Sequence, residues 1–236
     1  MLVLRSLLFA AGMWLSTAVF APFAVLTFPL PLSARYAFIR QWARFNLWWL
    51  GLACGLYYRV EGGENIPPGP AIIFCKHQSA WETLALQNVF PHQVWLLKRE
   101  LLWIPFFGWG LAMLQPIAID RGAGARAVTQ LVEQGRRHLQ AGRWVVIFPE
   151  GTRVAPGTTG RYAIGGAILA ERSGYAVVPV AHNAGEFWPR RGFLKRPGTI
   201  VMSIGPVIES KGLAAEEIRD RAKDWIEREA AKLHAR

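Results

Sequence analysis

The spacing of apolar and polar residues divides the chain into two parts. Residues 1–58 are almost continuously apolar. Between Arg5 and Arg35 the sequence reads SLLFAAGMWLSTAVFAPFAVLTFPLPLSA without a charge, and a shorter run, FNLWWLGLACGLYY, follows Arg44. The first run exceeds the roughly 20 residues that a helix needs to cross a bilayer core. Pro22 would kink such a helix, and Pro29 and Pro31 should end it. Two arrangements fit: a single bent span followed by an interfacial helix, or a helical hairpin that enters and leaves by one face. The hairpin is the preferred reading for residues 1–58, as a membrane-embedded or interfacial segment. A cleaved signal peptide is the alternative, but the apolar stretch is longer than a usual signal core and a second one follows it.

From residue 59 to 236 the pattern changes to short β-branched runs separated by helical periodicity. Strands are expected at 71–75, 94–97, 116–119, 144–148, 176–180 and 200–204, and helices at 81–89, 124–141, 161–173 and 214–234. In the last helix Ile218, Trp225 and Leu233 should face inward. The GENIPPGP stretch near Gly63 reads as a surface turn at the start of the domain. This alternation predicts an α/β fold with a mixed, mostly parallel sheet flanked by helices.

Composition sharpens the membrane reading. The chain has 236 residues, of which 52% are hydrophobic and 11 are Trp, and it carries a formal charge of +11. The length suffices for one domain with a substantial core. The basic excess calls for an anionic partner: nucleic acid, a phospholipid surface or a phosphorylated substrate. No Asp or Glu precedes Glu61, and arginines flank each apolar piece, as expected at an anionic leaflet. Cys54 and Cys75 both lie in apolar runs and read as reduced, packed thiols.

Ligand sites in open α/β sheets lie beyond the carboxyl ends of strands. Three of the expected strands end in polar sequence: Lys76-His-Gln-Ser-Ala-Trp-Glu82, Asp120-Arg121 and Pro149-Glu-Gly-Thr-Arg153. Five residues of regular helix would turn Glu82 about 140° from His77, so the two cannot share a helical face. They can meet if His77 lies in the turn before the helix. The carboxylate would then fix the imidazole tautomer and leave the other nitrogen as a general base. A His and a Glu at this spacing also arise by chance. In the third segment, Gly151 permits a tight loop whose amides approach a ligand, and Arg153 can grip a phosphate; an ordinary turn bearing a surface arginine is the plain alternative.

Taken together, KHQSAWE and FPEGTR, about seventy residues apart, resemble the glycerolipid acyltransferase family, whose hallmark is His-x4-Asp followed by FPEGTR, and the chain is similar to its bacterial members. Lys98-Arg-Glu-Leu-Leu-Trp-Ile-Pro105, Ile119-Asp-Arg121 and Val178-Pro-Val180 resemble further motifs of that family, so the likeness covers roughly residues 60–210. One departure is Glu82, where the family usually has Asp.

The resemblance implies transfer of a fatty acyl group from acyl-CoA or acyl carrier protein to the sn-2 hydroxyl of 1-acylglycerol 3-phosphate (lysophosphatidate), giving phosphatidate. His77 would be the base and Glu82 its orienting acid. Arg121 and Arg153, with Lys98 as a third cation, would bind the acceptor phosphate, and Glu150, Gly151 and Thr152 would shape the glycerol-phosphate pocket. It further implies an inner-membrane protein with its α/β domain facing the cytoplasm, and no cofactor beyond the acyl-donor substrate. Glycerol 3-phosphate and other lysolipids remain open as acceptors. Ser79 reads as a helix cap rather than a nucleophile. The five histidines show no metal-ligand spacing. Nucleic acid is a poor partner because the basic residues are spread along the chain rather than gathered in a stripe. A non-catalytic membrane-anchored scaffold would leave the ordered motifs unexplained.

Overall fold

The structure, a computed structural model, describes residues 1–120, 122 and 124–234. The apolar N-terminal region forms two helices, α1 (Leu2–Leu26) and α2 (Leu32–Cys54). α1 runs on through Pro22 and stops before the Phe28-Pro29-Leu30-Pro31 segment, with Pro31 at the N-cap of α2. The two pack antiparallel at close range: a Cβ built on Gly12 would sit 2.0 Å from the Trp49 indole nitrogen. Polar bonds also join them. Arg5 Nε donates to the Ala53 carbonyl at 3.0 Å, Trp49 Nε1 to Leu8 O at 3.1 Å, and the Asn46 amide to Ser16 Oγ at 3.2 Å. α2 ends at Gly55 in the left-handed region (φ 65°), where a residue without a Cβ is least strained.

The rest is built on seven strands: β1 (Leu56–Glu61), β2 (Ile72–Cys75), β3 (Gln93–Lys98), β4 (Ile117–Ile119), β5 (Trp144–Ile147), β6 (Val177–His182) and β7 (Gly198–Ile204). Their order is β1-β7-β6-β2-β5-β3-β4, and every pair is parallel except β6–β7. All six strands expected from the sequence are present, with ends shifted by no more than two residues. The edge strand β1 was not foreseen. Its side chains are mostly half-buried or exposed, so it carries no continuous apolar run.

Helices cover both faces. α3 (Trp81–Val89), α1 and α2 pack on one side, and α5 (Ala125–Gln140), α6 (Gly165–Ser173) and α8 (Ala215–His234) on the other. The central strand divides its residues between them: Ile73 and Cys75 face the first layer, Ile72 and Phe74 the second. Two-sided burial explains why the inner strands read as unbroken apolar runs. Each such Ile or Phe taken from water stabilises by about 1.5–3 kcal/mol.

Two short helices, α4 (Phe107–Met113) and α7 (Ala184–Phe187), have no counterpart in the sequence reading. α6 begins at Gly165 rather than 161, because residues 161–164 belong to a loop that carries the Tyr162 hydroxyl to Glu227 at 2.7 Å. On α8 the buried stripe is Ile218, Ala222, Ile226, Ala230 and Leu233, while Trp225 is half-buried against Gly205.

Candidate active site

β2 passes into the turn Lys76–Ala80, and α3 starts directly after it. The hydroxyl of Ser79 accepts the amide N–H of Trp81 at 3.1 Å, and the Glu82 carboxylate reaches back to accept the Ser79 N–H at 3.0 Å. This reciprocal capping bends Glu82 toward the turn and not along the helix. The same carboxylate meets the Gln78 amide at 3.1 Å and His77 Nδ1 at 2.8 Å. The five-residue spacing thus closes because His77 lies in the turn before α3.

Glu82 is fully buried. Burial works to raise its carboxyl, but the imidazoles of His182 and His77 and the Ser79 amide outweigh it and hold the group below its ordinary value. An ionised carboxylate only accepts hydrogen bonds, so His77 carries its proton on Nδ1 and its Nε2 keeps a free lone pair. The His77 ring stacks on Phe148, with centroids 4.0 Å apart and planes at 16°, and its side chain is 15% exposed.

His182 stands behind this pair. Its Nδ1 accepts the Ala184 N–H at 3.2 Å, which leaves Nε2–H to donate to Lys76 O at 2.9 Å. Burial pulls its pKa down against the opposing charge of Glu82, and the ring stands as a buried prop. Cys75 is also buried, and burial followed by the charges of Glu82 and Glu150 raises its thiol well above the ordinary value, so it packs as a thiol.

β5 and β2 lie side by side in the sheet, so the loop after β5 runs beside the His77 turn. The Val154 N–H donates to His77 O at 2.8 Å, and Glu150 accepts the His77 N–H at 2.9 Å. Glu150 does not line the cavity beside His77. Its carboxylate is buried against Lys76 Nζ at 2.8 Å and the Gly160 N–H at 3.2 Å. Burial raises its pKa more than these partners lower it. Its influence on the site is through the backbone it holds. Lys76, itself 1% exposed, also binds Glu227 of α8 at 2.7 Å and Thr158 O at 3.0 Å. One buried ammonium thereby ties α8 to both site loops.

A cavity of about 480 Å³ adjoins the His77 ring. Phe20 and Ala24 of α1, Phe38 and Trp42 of α2, Leu84 of α3 and Leu111 of α4 wall one part of it. His77, Lys98, Gly151, Thr152 and Arg153 line another. The fold therefore gathers these five expected residues, with Glu82 behind them. Arg121 lies outside the described residues. Two lining residues were not anticipated, Arg190 and Arg191. They lie far from the motifs in sequence, and only the turn signal of Pro189-Arg-Arg-Gly192 marked the place.

Its apolar lining can take a hydrocarbon chain, its cations an anion, and the imidazole a proton. The family model described as Acyltransferase matches residues 58–183. The 1-acyl-sn-glycerol-3-phosphate acyltransferase of Pseudomonas aeruginosa is 47% identical over 208 residues, covering 86% of this chain and 81% of that protein. The Saccharomyces cerevisiae protein of the same name is 27% identical over 201 residues, covering 80% of this chain and 66% of the yeast protein. In three dimensions the crystal structure of the 1-acyl-sn-glycerophosphate (LPA) acyltransferase PlsC from Thermotoga maritima superposes with a TM-score of 0.81 at 23% identity, covering 100% of this chain and 99% of that one, a likeness of fold.

Proposed function

The chain belongs to the acyltransferase family, and we propose that it transfers a fatty acyl group from a thioester donor to the sn-2 hydroxyl of lysophosphatidate, giving phosphatidate. The observation that carries the chemistry is the 2.8 Å bond from His77 Nδ1 to a buried carboxylate, with His77 lining a cavity whose walls hold both apolar side chains and the cations Lys98 and Arg153.

In this reading His77 Nε2 takes the hydroxyl proton as the oxygen attacks the thioester carbonyl. The new C–O bond forms, the C–S bond breaks, and the imidazolium returns the proton to the departing thiolate. Glu82 holds the ring and stabilises the transient charge. A well-placed base supplies about 10²–10⁴-fold; positioning and oxyanion stabilisation supply the remainder. Arg153 and Lys98 bind the acceptor phosphate, Thr152 and Gly151 shape its surroundings, and Arg121 stays a candidate on sequence grounds. Acyl-CoA and acyl carrier protein both fit as donors.

The helical hairpin seats the enzyme on an anionic bilayer. α1 reaches a mean hydropathy of 1.7 over 18 residues and leaves Trp14, Leu15 and Leu26 exposed. The hairpin is tied to the α/β domain at its open end, where Ser6 Oγ accepts the Lys195 N–H at 2.9 Å, and partway along α2, where Arg40 donates to Asn88 O at 2.8 Å. A hairpin lashed along the domain favours lying in one leaflet over crossing both. Exposed Trp103, Phe106 and Trp109 beside it extend the apolar surface. The domain would face the cytoplasm, where the donors are made.

The test is an assay of purified protein in phosphatidylglycerol-containing vesicles with labelled acyl-CoA and a panel of acceptors. Lysophosphatidate should be acylated fastest, and His77→Ala should remove the activity while the protein stays folded and vesicle-bound. Full turnover by that variant, or faster acylation of glycerol 3-phosphate, would overturn the reading.

A further inference from the structure

The cavity beside His77 carries more positive charge than one phosphate needs. Lys98, Arg153, Arg190 and Arg191 all line it, and no Asp or Glu is among its described lining residues. None of the four has a carboxylate within ion-pair distance among the described residues. A phosphate monoester brings a charge of about −1.5 to −2 at neutral pH, which two cations neutralise. Two arginines are left over.

They occupy a turn that the fold holds firmly. The Gly192 N–H donates to Pro189 O at 2.9 Å and closes it. Downstream, Arg196 N–H donates to Phe187 O at 2.9 Å, Lys195 N–H donates to Ser6 Oγ at 2.9 Å, and the Lys195 ammonium lies over the rings of Trp188 and Phe9. Arg190 Nη1 donates to Arg153 O at 2.8 Å, joining this turn to the loop that carries the proposed acceptor-binding arginine. Arg191 adopts φ 58°, a left-handed conformation that glycine fills more readily, although Gly192 is the next residue. Both guanidinium-bearing residues remain exposed, within a segment that has no acid from Phe187 to Ile208. The backbone is pinned while the charged groups stay open, the arrangement that preorganises an anion site.

Resting on the proposed acyl transfer, we propose that Arg190 and Arg191 form a second anion subsite, for the phosphate of the acyl donor's carrier arm. A donor thioester presents its carbonyl to His77 and lays its acyl chain against the apolar wall. Its carrier then leaves the cavity on the solvent side, where these arginines stand. Acyl-CoA and acyl carrier protein share the phosphorylated pantetheine that such a site would grip, through charge-assisted and often bidentate bonds.

Arg191→Gly removes a charge at a position whose backbone suits glycine, and Arg190→Gln keeps a side chain able to donate to Arg153 O. Donor KM is measured for wild type and the double variant with acyl-CoA, acyl carrier protein and an acyl-pantetheine lacking phosphate, and acceptor KM is measured separately. The double variant should raise KM for the phosphorylated donors by about tenfold or more, and leave acyl-pantetheine and lysophosphatidate unchanged. A rise with both phosphorylated donors assigns the site to the shared pantetheine phosphate; a rise with acyl-CoA alone assigns it to the nucleotide phosphates. KM values unchanged from wild type for all three donors, or a rise confined to the acceptor, overturn the assignment. Calorimetric binding of free coenzyme A to wild type and variant tests the arginines without any acceptor. Weaker binding by the variant supports the subsite even if wild type fails to acylate lysophosphatidate, and equal binding refutes it.

Discussion

The carboxylate of Glu82 accepts the Nδ1–H of His77 at 2.8 Å and, with the same two oxygens, the backbone N–H groups of Gln78 and Ser79. Cap of α3 and orienter of the proposed base are therefore one group. The residue that steadies the first turn of the helix also decides which imidazole nitrogen is bare.

Substitution of Glu82 should separate the two roles. In Glu82→Gln the amide oxygen can still accept the Ser79 N–H, but its NH2 then faces His77 and requires Nδ1 to be the acceptor. The proton moves to Nε2 and the base is blocked. The expected loss in kcat is on the order of 10²–10⁴-fold, with the fold retained. Glu82→Asp, which matches the usual residue of the family, should keep more activity than Glu82→Gln. Steady-state kinetics of the two variants decide it, and equal rates would remove tautomer control from the mechanism.

The depressed carboxyl of Glu82 has a stability consequence with a definite sign. A group whose folded pKa lies below its unfolded value contributes stability above the unfolded value, near 4.5, and loses it as pH falls through the folded value. Wild type should thus be more stable than Glu82→Gln at neutral pH, and the gap should close on acidification below about pH 4.5. Urea unfolding at several pH values measures it; a gap that widens in acid would contradict the assignment.

Lys76 neutralises two facing carboxylates, Glu150 and Glu227, inside the protein. Lys76→Met should strand them, at a cost of about 3–5 kcal/mol, the usual result of breaking one side of a buried pair. Adding Glu150→Gln should recover part of that loss, since the amide oxygen can still accept the His77 or Gly160 N–H. Thermal melts of the single and double variants test the coupling.

Gly12 gives the hairpin its closeness. Any side chain there meets Trp49, so Gly12→Val should pry α1 from α2. The expected outcome is a lower melting temperature, faster proteolysis near the Thr27–Pro31 connection and weaker retention on vesicles. Unaltered proteolysis would indicate that the helices pack less tightly than described.

Much of the fold was legible because burial on both sheet faces writes itself as β-branched runs, and the paired motifs stood at strand ends where a site is expected. What was hidden has physical causes. β1 owes its place to pairing with β7, a contact distant in sequence, and its half-exposed side chains give no clear period. α4 contains Gly108 and Gly110 and follows Pro105, a composition that weakens any helical signal, and its packing against the hairpin stabilises it instead. Glu150 looked like a pocket residue because its neighbours are; only the fold reveals the buried lysine it turns toward. Arg190 and Arg191 enter the site because β6 lies beside β2 in the sheet, an adjacency that no spacing encodes.

The cavity between the hairpin and the sheet also governs how the enzyme meets its acceptor. With α1 and α2 resting in one leaflet, as proposed, lysophosphatidate need never pass through water: it drifts sideways within the lipid film and slips past the helices tail first. Turnover would then follow the mole fraction of acceptor in the surface rather than its bulk molarity. Diluting the vesicles with inert phospholipid should slow the reaction, whereas adding buffer should not.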